Sequence, residues 1–374
     1  VVEGNPDRRE ARSKETKLSD ARLVPPPTKG HLSIARLSHA WYVACEAREL
    51  RDSPLRVELL GTPFVLFRGE GGRPAALLDR CPHRNVPLSL GRIVEGGRLE
   101  CRYHGWQFEG TGRCALVPGL TGGTEARERR APAAAALEAH GFIWLWPELD
   151  EQPTSEPFPL APLAPGYARV VRRVEAPGTL HATLENALDV PHTAFLHRGL
   201  FRGAGKKNEI RATVRRAADR VEVEYAGEPR PSSAVGFILS PSGGTVEHWD
   251  RFILPSIAQV EYRLGRETHL TVTAFGTPVS DYVTRLFAVV DFRSPLPNWL
   301  VRPFLEPVAL SIFRQDKAIL GAQADTVRQF GGEQYLSTEL DLLGPHIWRL
   351  LKQAESRTPA PEELVVEREV RFLA

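Results

Sequence analysis

Methionine does not occur in this chain of 374 residues, cysteine occurs only four times, and no run of about 18 apolar residues is present. The lack of such a run leaves no candidate for a transmembrane helix. Four cysteines in so long a chain are too few for a disulfide framework and point to a reducing, cytoplasmic setting. The missing methionine is unusual for this length and gives no functional clue. Excess charge is absent too: 48 basic residues meet 46 acidic ones, for a net charge of +2. That balance makes no electrostatic case for nucleic acid, and a pair such as Lys206–Lys207 reads as solvated surface. The opening segment VVEGNPDRREARSKETKLSDARLVPPPTKG lacks the apolar core of a signal peptide. With its charge and its Pro25–Pro26–Pro27 run, residues 1–35 read as an N-terminal arm. No Gly-x-Gly-x-x-Gly fingerprint, flavin motif or plant-type ferredoxin cysteine run is found, so nothing marks a dinucleotide site of the chain's own.

What is present is the composition of an ordinary globular protein, 42% apolar and 25% charged, long enough for two domains. Residues 36–152 are strand-like. LRVELLGTPFVLFRG (55–69) holds two apolar runs split at Gly61–Thr62–Pro63, RPAALLD (73–79) follows a glycine turn, and GFIWLWP (141–147) closes the block. Short strands between glycine turns predict an all-β domain. The proline-rich PTSEPFPLAPLAPG (153–166) reads as a linker or a covering loop. A second domain, 153–350, is mixed. LHATLENALDVPHTAFLH (180–197) is helix-like, with Gly199 as its stop; four later segments alternate as antiparallel strands; and LEPVALSIFRQDKAILGAQADTVRQF (305–330) reads as one long helix. The prediction is an α+β chain, all-β domain first, with residues 351–374 as a C-terminal tail.

Two Cys-x-His pairs stand in the first domain. Cys81–Pro82–His83 is followed, after seventeen residues, by Cys101–Arg102–Tyr103–His104. Two thiolates suit one iron of a [2Fe–2S] cluster. Neutral imidazoles on the other iron make the cluster less negative and raise its potential to roughly −150 to +300 mV. A structural Cys₂His₂ zinc site is the plain alternative, but zinc pairs are usually Cys-x-x-Cys with His-x₃₋₅-His. The segment CPHRNVPLSLG…CRYHGWQF resembles the Rieske domain of ring-hydroxylating and related oxygenases well beyond these four residues, Arg102 standing where proline is usual. Cys45 and Cys114 have no partner at ligand spacing and read as buried, inert thiols.

The second constellation is Asn186, Asp189, His192 and His197. Two histidines and a carboxylate on one face of a metal leave positions open for O₂ and substrate. A regular helix would set His192 and His197 about 140° apart. They converge only if the helix ends or takes a wider, π-like turn, and Pro191 is a fitting place for a break. By itself the segment also suits ordinary surface or core histidines. Its pattern N-x-x-D-x-x-H-x₄-H, downstream of the Cys/His pairs, resembles the catalytic domain of Rieske non-haem iron oxygenases, of the single-subunit-type branch that includes demethylases and steroid and sterol oxygenases.

That resemblance covers residues 36–350 and implies a helix-grip-like catalytic domain with a long C-terminal helix. It makes Cys81, His83, Cys101 and His104 the cluster ligands, and His192 and His197 ligands of a mononuclear Fe(II). Asp189 becomes the bridging carboxylate that meets a cluster-ligand histidine, here His104, of a neighbouring subunit. Three positions from His192, Asp189 would share its helix face, with Asn186 beside it. The third ligand is expected to be Asp316. Its flanks Ile312, Phe313, Ile319 and Leu320 are apolar, so its carboxylate would point inward, where a metal compensates it. The bland reading is an exposed Asp316 paired with Lys317 or Arg314. Gln315 and Gln323 are weaker neighbours, and His31, His39, His140, His181, His248, His269 and His346 read as structural or surface residues.

The same resemblance implies a monooxygenase or dioxygenase that takes O₂ as co-substrate and works as a head-to-tail homotrimer. Its electrons come from NAD(P)H through a separate reductase, with a ferredoxin between them as an option. The substrate is expected to be hydrophobic, polycyclic or sterol-like. Phe237, Ile238, Trp249, Phe252, Ile253 and Phe275 either line its pocket or simply pack. The rival reading is an electron-transfer or redox-sensing protein with a hydrophobic-ligand module and no second iron.

Overall fold

A computed structural model describes residues 34–121, 129–197, 209–228, 246–265, 268–295, 298–357 and 366–373. The arm up to residue 33 with His31, the stop at Gly199, Lys206–Lys207, and Phe237 and Ile238 lie outside the described residues.

The run Phe64–Val65–Leu66–Phe67 is apolar without alternation, as expected of a strand buried on both faces, and all four side chains are buried. It lies in β3 (Thr62–Arg68). With β1 (Tyr42–Glu46), β2 (Leu55–Leu59), β4 (Pro74–Leu78), β9 (Ala133–Ala139) and β10 (Phe142–Leu149), β3 forms an antiparallel sheet in the order β1-β10-β9-β4-β3-β2. Between β4 and β9 the chain builds a small sheet of β5 (Arg92–Val94), β6 (Arg98–Glu100), β7 (Gln107–Phe108) and β8 (Cys114–Leu116). Val65, Phe67 and Leu77 of the larger sheet pack against Leu99, Phe108 and the two motif cysteines.

The second sheet is antiparallel, in the order β11-β17-β16-β15-β14-β13-β12-β18. Its strands are β11 (Ala168–Ala176), β12 (Glu209–Arg216), β13 (Arg220–Ala226), β14 (Val246–Ile253), β15 (Ile257–Leu264), β16 (Thr268–Ser280), β17 (Val283–Arg293) and β18 (Val366–Leu373). Around it lie α1 (Leu180–Leu188), the short α2 (Thr193–Leu196), the long α3 (Asn298–Gln329) and α4 (Gly344–Glu355). The long helix begins earlier than the apolar pattern, at Asn298. The boundary read at 350 falls inside α4, and β18 pairs with β12 throughout its length. The described part of the segment set apart as a tail therefore completes the second sheet.

Side chains alternate across each strand, so the sheet has two working faces. One face gathers Val221, Val223, Phe252, Ala258 and Leu286 around Leu180, Leu184 and Leu188 of α1 and Ile347, Leu350 and Leu351 of α4. Each fully buried leucine contributes roughly 1.5–3 kcal/mol, which fixes α1 on the sheet. The other face sets Ile257, Phe275, Phe287 and Val289 against Trp41, Val43, Phe142, Trp144 and Trp146 of the first domain. Backbone bonds continue this seam: Leu60 and Gly61 donate to the carbonyls of Pro278 and Val279 (2.7 and 2.8 Å). Of the two options for the proline-rich stretch, covering fits: Phe158 and Leu160 pack into this seam, and the Trp41 indole donates to the Ser155 carbonyl at 2.6 Å.

These packing partners also settle several aromatics. Phe275 and Ile253 belong to the seam between domains, and Phe252 to the core under α1. Trp249 faces the guanidinium groups of Arg251 and Arg263, at 5.9 and 5.1 Å. Phe252, Ile253 and Phe275 take the packing role, while Trp249 belongs to no core cluster.

Candidate metal centres

The two Cys-x-His pairs sit on matching turns. Cys81 N–H donates to the Val86 carbonyl (2.9 Å) and accepts at its own carbonyl from Asn85 N–H (2.9 Å). Cys101 repeats the pattern with Trp106 (2.8 Å) and Gly105 (2.9 Å). Closing each loop puts one residue at positive φ, Asn85 at 61° and Gly105 at 70°, which asparagine and glycine tolerate best. Both thiols are buried, whereas His104 is exposed. The rings of His83 and His104 lie 4.6 Å apart, and the Trp106 indole stacks on His83 at 4.8 Å. Burial pushes the Cys81 thiol up, and the adjacent Cys101 adds to that rise. His83 Nδ1 is buried with no hydrogen-bond partner among the described residues. Two adjoining buried thiols and an orphaned imidazole nitrogen are what a thiolate- and imidazole-bound cluster needs, so these residues fit one. Cys45 and Cys114 are buried too, Cys45 in the core under α1 and Cys114 in the same apolar cluster as Cys81 and Cys101.

The second set of donors comes from remote parts of the chain. α1 ends at Leu188, where Asp189 turns extended (φ −86°, ψ 108°). Pro191 follows, and α2 then makes a single turn with His192 at its start and His197 at its end, out of helical conformation (φ −108°, ψ 39°). Of the two routes to convergence, the chain takes the broken helix. His192 Nε2 and His197 Nε2 lie 3.2 Å apart, and Asp316 Oδ1 on α3 lies 3.6 Å from the first and 3.1 Å from the second. Asp316 Oδ1 is buried and has no hydrogen-bond partner among the described residues. An orphaned carboxylate oxygen facing two imidazole nitrogens fits a divalent metal, and the 2-His-1-carboxylate set is the one used for non-haem Fe(II).

Asp189 reaches His192 by a route other than a shared helix face. Its Oδ2 accepts from the His192 backbone N–H (3.1 Å) and lies 3.2 Å from His192 Nδ1, across the turn that follows α1. Burial alone would lower the pKa of His192, but Asp189 and Asp316 together outweigh it and raise it to about 9. Asn186, a turn earlier on α1, makes no side-chain hydrogen bond among the described residues. Gln315, a weak candidate in the sequence, has a direct contact in the structure: its Oε1 lies 2.7 Å from His197 Nδ1, holding the outer edge of that ring. Its position beside Asp316 was the available signal. Of the flanks thought to turn Asp316 inward, Leu320 is buried but Ile319 is half exposed.

The frame around the triad is tied at α1. Thr179 caps it, its hydroxyl accepting from Ala182 N–H (3.1 Å) and donating to Glu333 just past α3 (2.5 Å). Glu333 is buried and also accepts from the Tyr335 hydroxyl (3.1 Å). The helix that leads to the histidines and the one that carries the carboxylate are thereby fastened together. At the other end of α1, a Cβ on Gly344 would fall 1.6 Å from Glu185 Oε1, so a larger residue there would require the Glu185 side chain to move.

Comparison with known proteins agrees with this layout. Residues 40–127 match the Rieske [2Fe-2S] domain family, and residues 179–357 match the vanillate O-demethylase oxygenase C-terminal domain family. Chlorophyllide a oxygenase of Chlamydomonas reinhardtii is 37% identical over 169 residues, 44% of this chain and 25% of that protein. The oxygenase component of chloroacetanilide N-alkylformylase from Rhizorhabdus wittichii is 33% identical over 223 residues, 57% of this chain and 62% of that one. The chain thus spans from a quarter to somewhat under two thirds of the length of these relatives. Dicamba monooxygenase, in a crystal structure with dicamba bound, shares the fold: TM-score 0.68 at 24% identity, over 86% of this chain and 98% of that one.

Fold and donor sets together define a two-domain protein, a β domain with a Rieske-type set of two cysteines and two histidines leading into a domain with a 2-His-1-carboxylate set. The chain belongs to the Rieske oxygenase family. No helix among the described residues is long and apolar enough to cross a membrane.

Proposed function

We propose that the chain is a terminal oxygenase that oxidises a hydrophobic substrate, by hydroxylation, demethylation or desaturation, with O₂ and externally supplied electrons. The observation that carries this reading is the meeting of His192, His197 and Asp316, whose donor atoms all lie within 4.8 Å of one another, in a chain that also carries the Cys81–His83 and Cys101–His104 loops. A bound Fe(II) would supply O₂ activation there, with a Rieske cluster as the source of single electrons. His192, His197 and Asp316 would hold the metal on one side and leave the other open. Gln315 fixes the ring of His197, and Asp189 accepts from the His192 backbone N–H and lies 3.2 Å from its Nδ1, while keeping part of its own carboxylate exposed. In a head-to-tail homotrimer that carboxylate would meet His104 of the partner subunit, and His104 is exposed as this requires. The relative named an oxygenase component supports a separate reductase, drawing on NAD(P)H directly or through a ferredoxin. A reducing, cytoplasm-like compartment suits the unpaired cysteines.

The convergence of the triad favours this reading over a pure electron-transfer or redox-sensing protein, which needs no such arrangement. The test is anaerobic reduction of the iron-loaded protein, then O₂ with a panel of sterols, steroids and aryl ethers, scored by product mass. A gain of one oxygen, or loss of a methyl group or of two hydrogens, in any panel member is expected. Reoxidation with no product across substrates that bind would contradict the proposal.

A further inference from the structure

Where β12 and β18 pair at the edge of the second sheet, charged side chains sort by face. On the face turned away from α4 each guanidinium meets a carboxylate. Arg215 lies 2.9 Å from Glu224 and 3.4 Å from Glu367, and Arg371 lies 3.0 Å from Glu369. On the α4 face the same strands give Val214, Val370 and Phe372 to the core and then present two arginines, Arg216 and Arg368. Arg216 stands opposite Val366 and Arg368 opposite Val214, so the two are diagonal neighbours, roughly 7–8 Å apart. From the helix above, His346, Arg349 and Gln353 share one face at spacings of three and four. Arg216 Nη2 donates to Gln353 Oε1 at 3.4 Å, which joins strand to helix at this corner.

The corner has cations and no counter-charge. Arg216, Arg349 and Arg368 form no ion pair among the described residues. The nearby acids are engaged elsewhere: Glu355 with Lys352 and the Arg36 backbone N–H, and Asp219 with Arg220 at 2.7 Å. Arg216 Nε and His346 Nδ1 are both buried with no hydrogen-bond partner among the described residues. Burial lowers the pKa of Arg216, and the nearby Arg349 lowers it further. Burial also lowers that of His346, helped by Arg216, Arg349 and Arg368, so all three guanidinium groups act on one imidazole. Like charges gathered in this way destabilise a fold, and two unmet donors add to the cost. The paired face, a strand's thickness away, shows that the same strands can match their charges.

We propose that this corner is a binding site for a phosphate group, held by the guanidinium groups of Arg216, Arg349 and Arg368 with His346 behind them. A guanidinium fork matches phosphate oxygens, and a phosphate dianion offsets more of the gathered charge than a single carboxylate can. The cations approach from a strand end, an edge strand and a helix, with Arg216 half-buried between Arg349 and Arg368, which are exposed. A group small enough to enter the corner can meet all three, whereas a flat acidic protein surface would reach the two exposed ones. Its occupant would brace α4 against β12 and β18. The site goes beyond the oxygenase reading and depends on no part of it.

The test is calorimetric titration of the iron-loaded protein, at constant ionic strength, with inorganic phosphate, phenyl phosphate, benzoate and a hexaglutamate peptide. Phosphate should bind saturably at one site per chain, about tenfold or more tighter than benzoate. Arg216→Gln and Arg349→Gln should each weaken it about tenfold, as loss of a charge-assisted contact does. Arg215→Gln, on the paired face, should leave it within about twofold. Far-UV circular dichroism shows that each variant folds, and Arg349, exposed on α4, keeps the test informative if Arg216→Gln does not. Phenyl phosphate binding more tightly than phosphate supports the site and assigns it to a phosphorylated molecule; the reverse order supports it with free phosphate as occupant. No saturable phosphate binding, benzoate binding equally well, no loss in Arg216→Gln and Arg349→Gln, or an equal loss in Arg215→Gln overturns the proposal. Hexaglutamate binding more tightly than either phosphate overturns it in favour of an acidic protein partner. Phosphate binding only after Glu362→Gln and Glu363→Gln, two acids that precede β18 in sequence, overturns it in favour of the chain's own carboxylates.

Discussion

The loops that carry Cys81–His83 and Cys101–His104 and the site of His192, His197 and Asp316 both gather metal donors, but by different physical means. In the first, all donors lie between positions 81 and 104, on two turns that repeat one hydrogen-bond pattern around a glycine-compatible backbone. In the second, the donors run from 192 to 316 and meet only because α1 breaks at Leu188 and α3 returns across it. The first depends on local turn chemistry, the second on the packing of a whole domain. Damage to a strand or a cap far from the metals should therefore be felt at the triad before it is felt at the cluster.

That contrast yields predictions of decreasing size. Asp189→Ala should reduce turnover roughly 100-fold or more, beyond what any accompanying loss of iron from the triad accounts for, because the role proposed for Asp189 is to carry electrons to the triad as well as to lie against His192. Iron analysis with product assay checks this, and full activity in the variant would remove Asp189 from the route. Cys101→Ser should abolish the visible cluster absorption while the triad still takes up one iron. Loss of iron from both sites would show the two regions to be less independent than their geometry suggests. Gln315→Ala should weaken metal retention at the triad about 10- to 100-fold, the usual cost of losing the partner of a ligating imidazole, with the cluster spectrum unchanged. Thr179→Ala removes the α1 cap and a partner of buried Glu333. It should lower stability by about 1–2 kcal/mol, read as a shift in thermal midpoint, with the triad iron lost before the cluster colour fades.

The same contrast explains what could be read from the sequence. The cluster loops were legible because their donors and turn residues are contiguous, and the strands around them announce themselves by apolar runs and glycine turns. His192 and His197 were legible as a pair with a geometric problem, and Pro191 pointed to its solution; the structure solves it by ending α1 rather than by a π-turn. Asp316 required the resemblance as well as its apolar flanks, one of which, Ile319, turned out half exposed. His248 reads from the sequence as a structural or surface residue because a histidine on a strand is ordinary, and the structure buries it. The signal was there in the alternation: His248 and Asp250 occupy successive inward positions of β14, between buried Val246 and Phe252. β18 was missed because its partner β12 lies far away in sequence and its alternating charges resemble a solvated tail. Non-local pairing of this kind leaves no trace in a local window.

The central claim is that one chain holds two separate iron centres, and iron counted per chain in wild type and in Asp316→Ala addresses it most directly. The account predicts about three irons in wild type and about two in the variant, with the same visible spectrum, following the two ligand sets. About two irons in both proteins would mean that the triad holds no iron and would contradict the account.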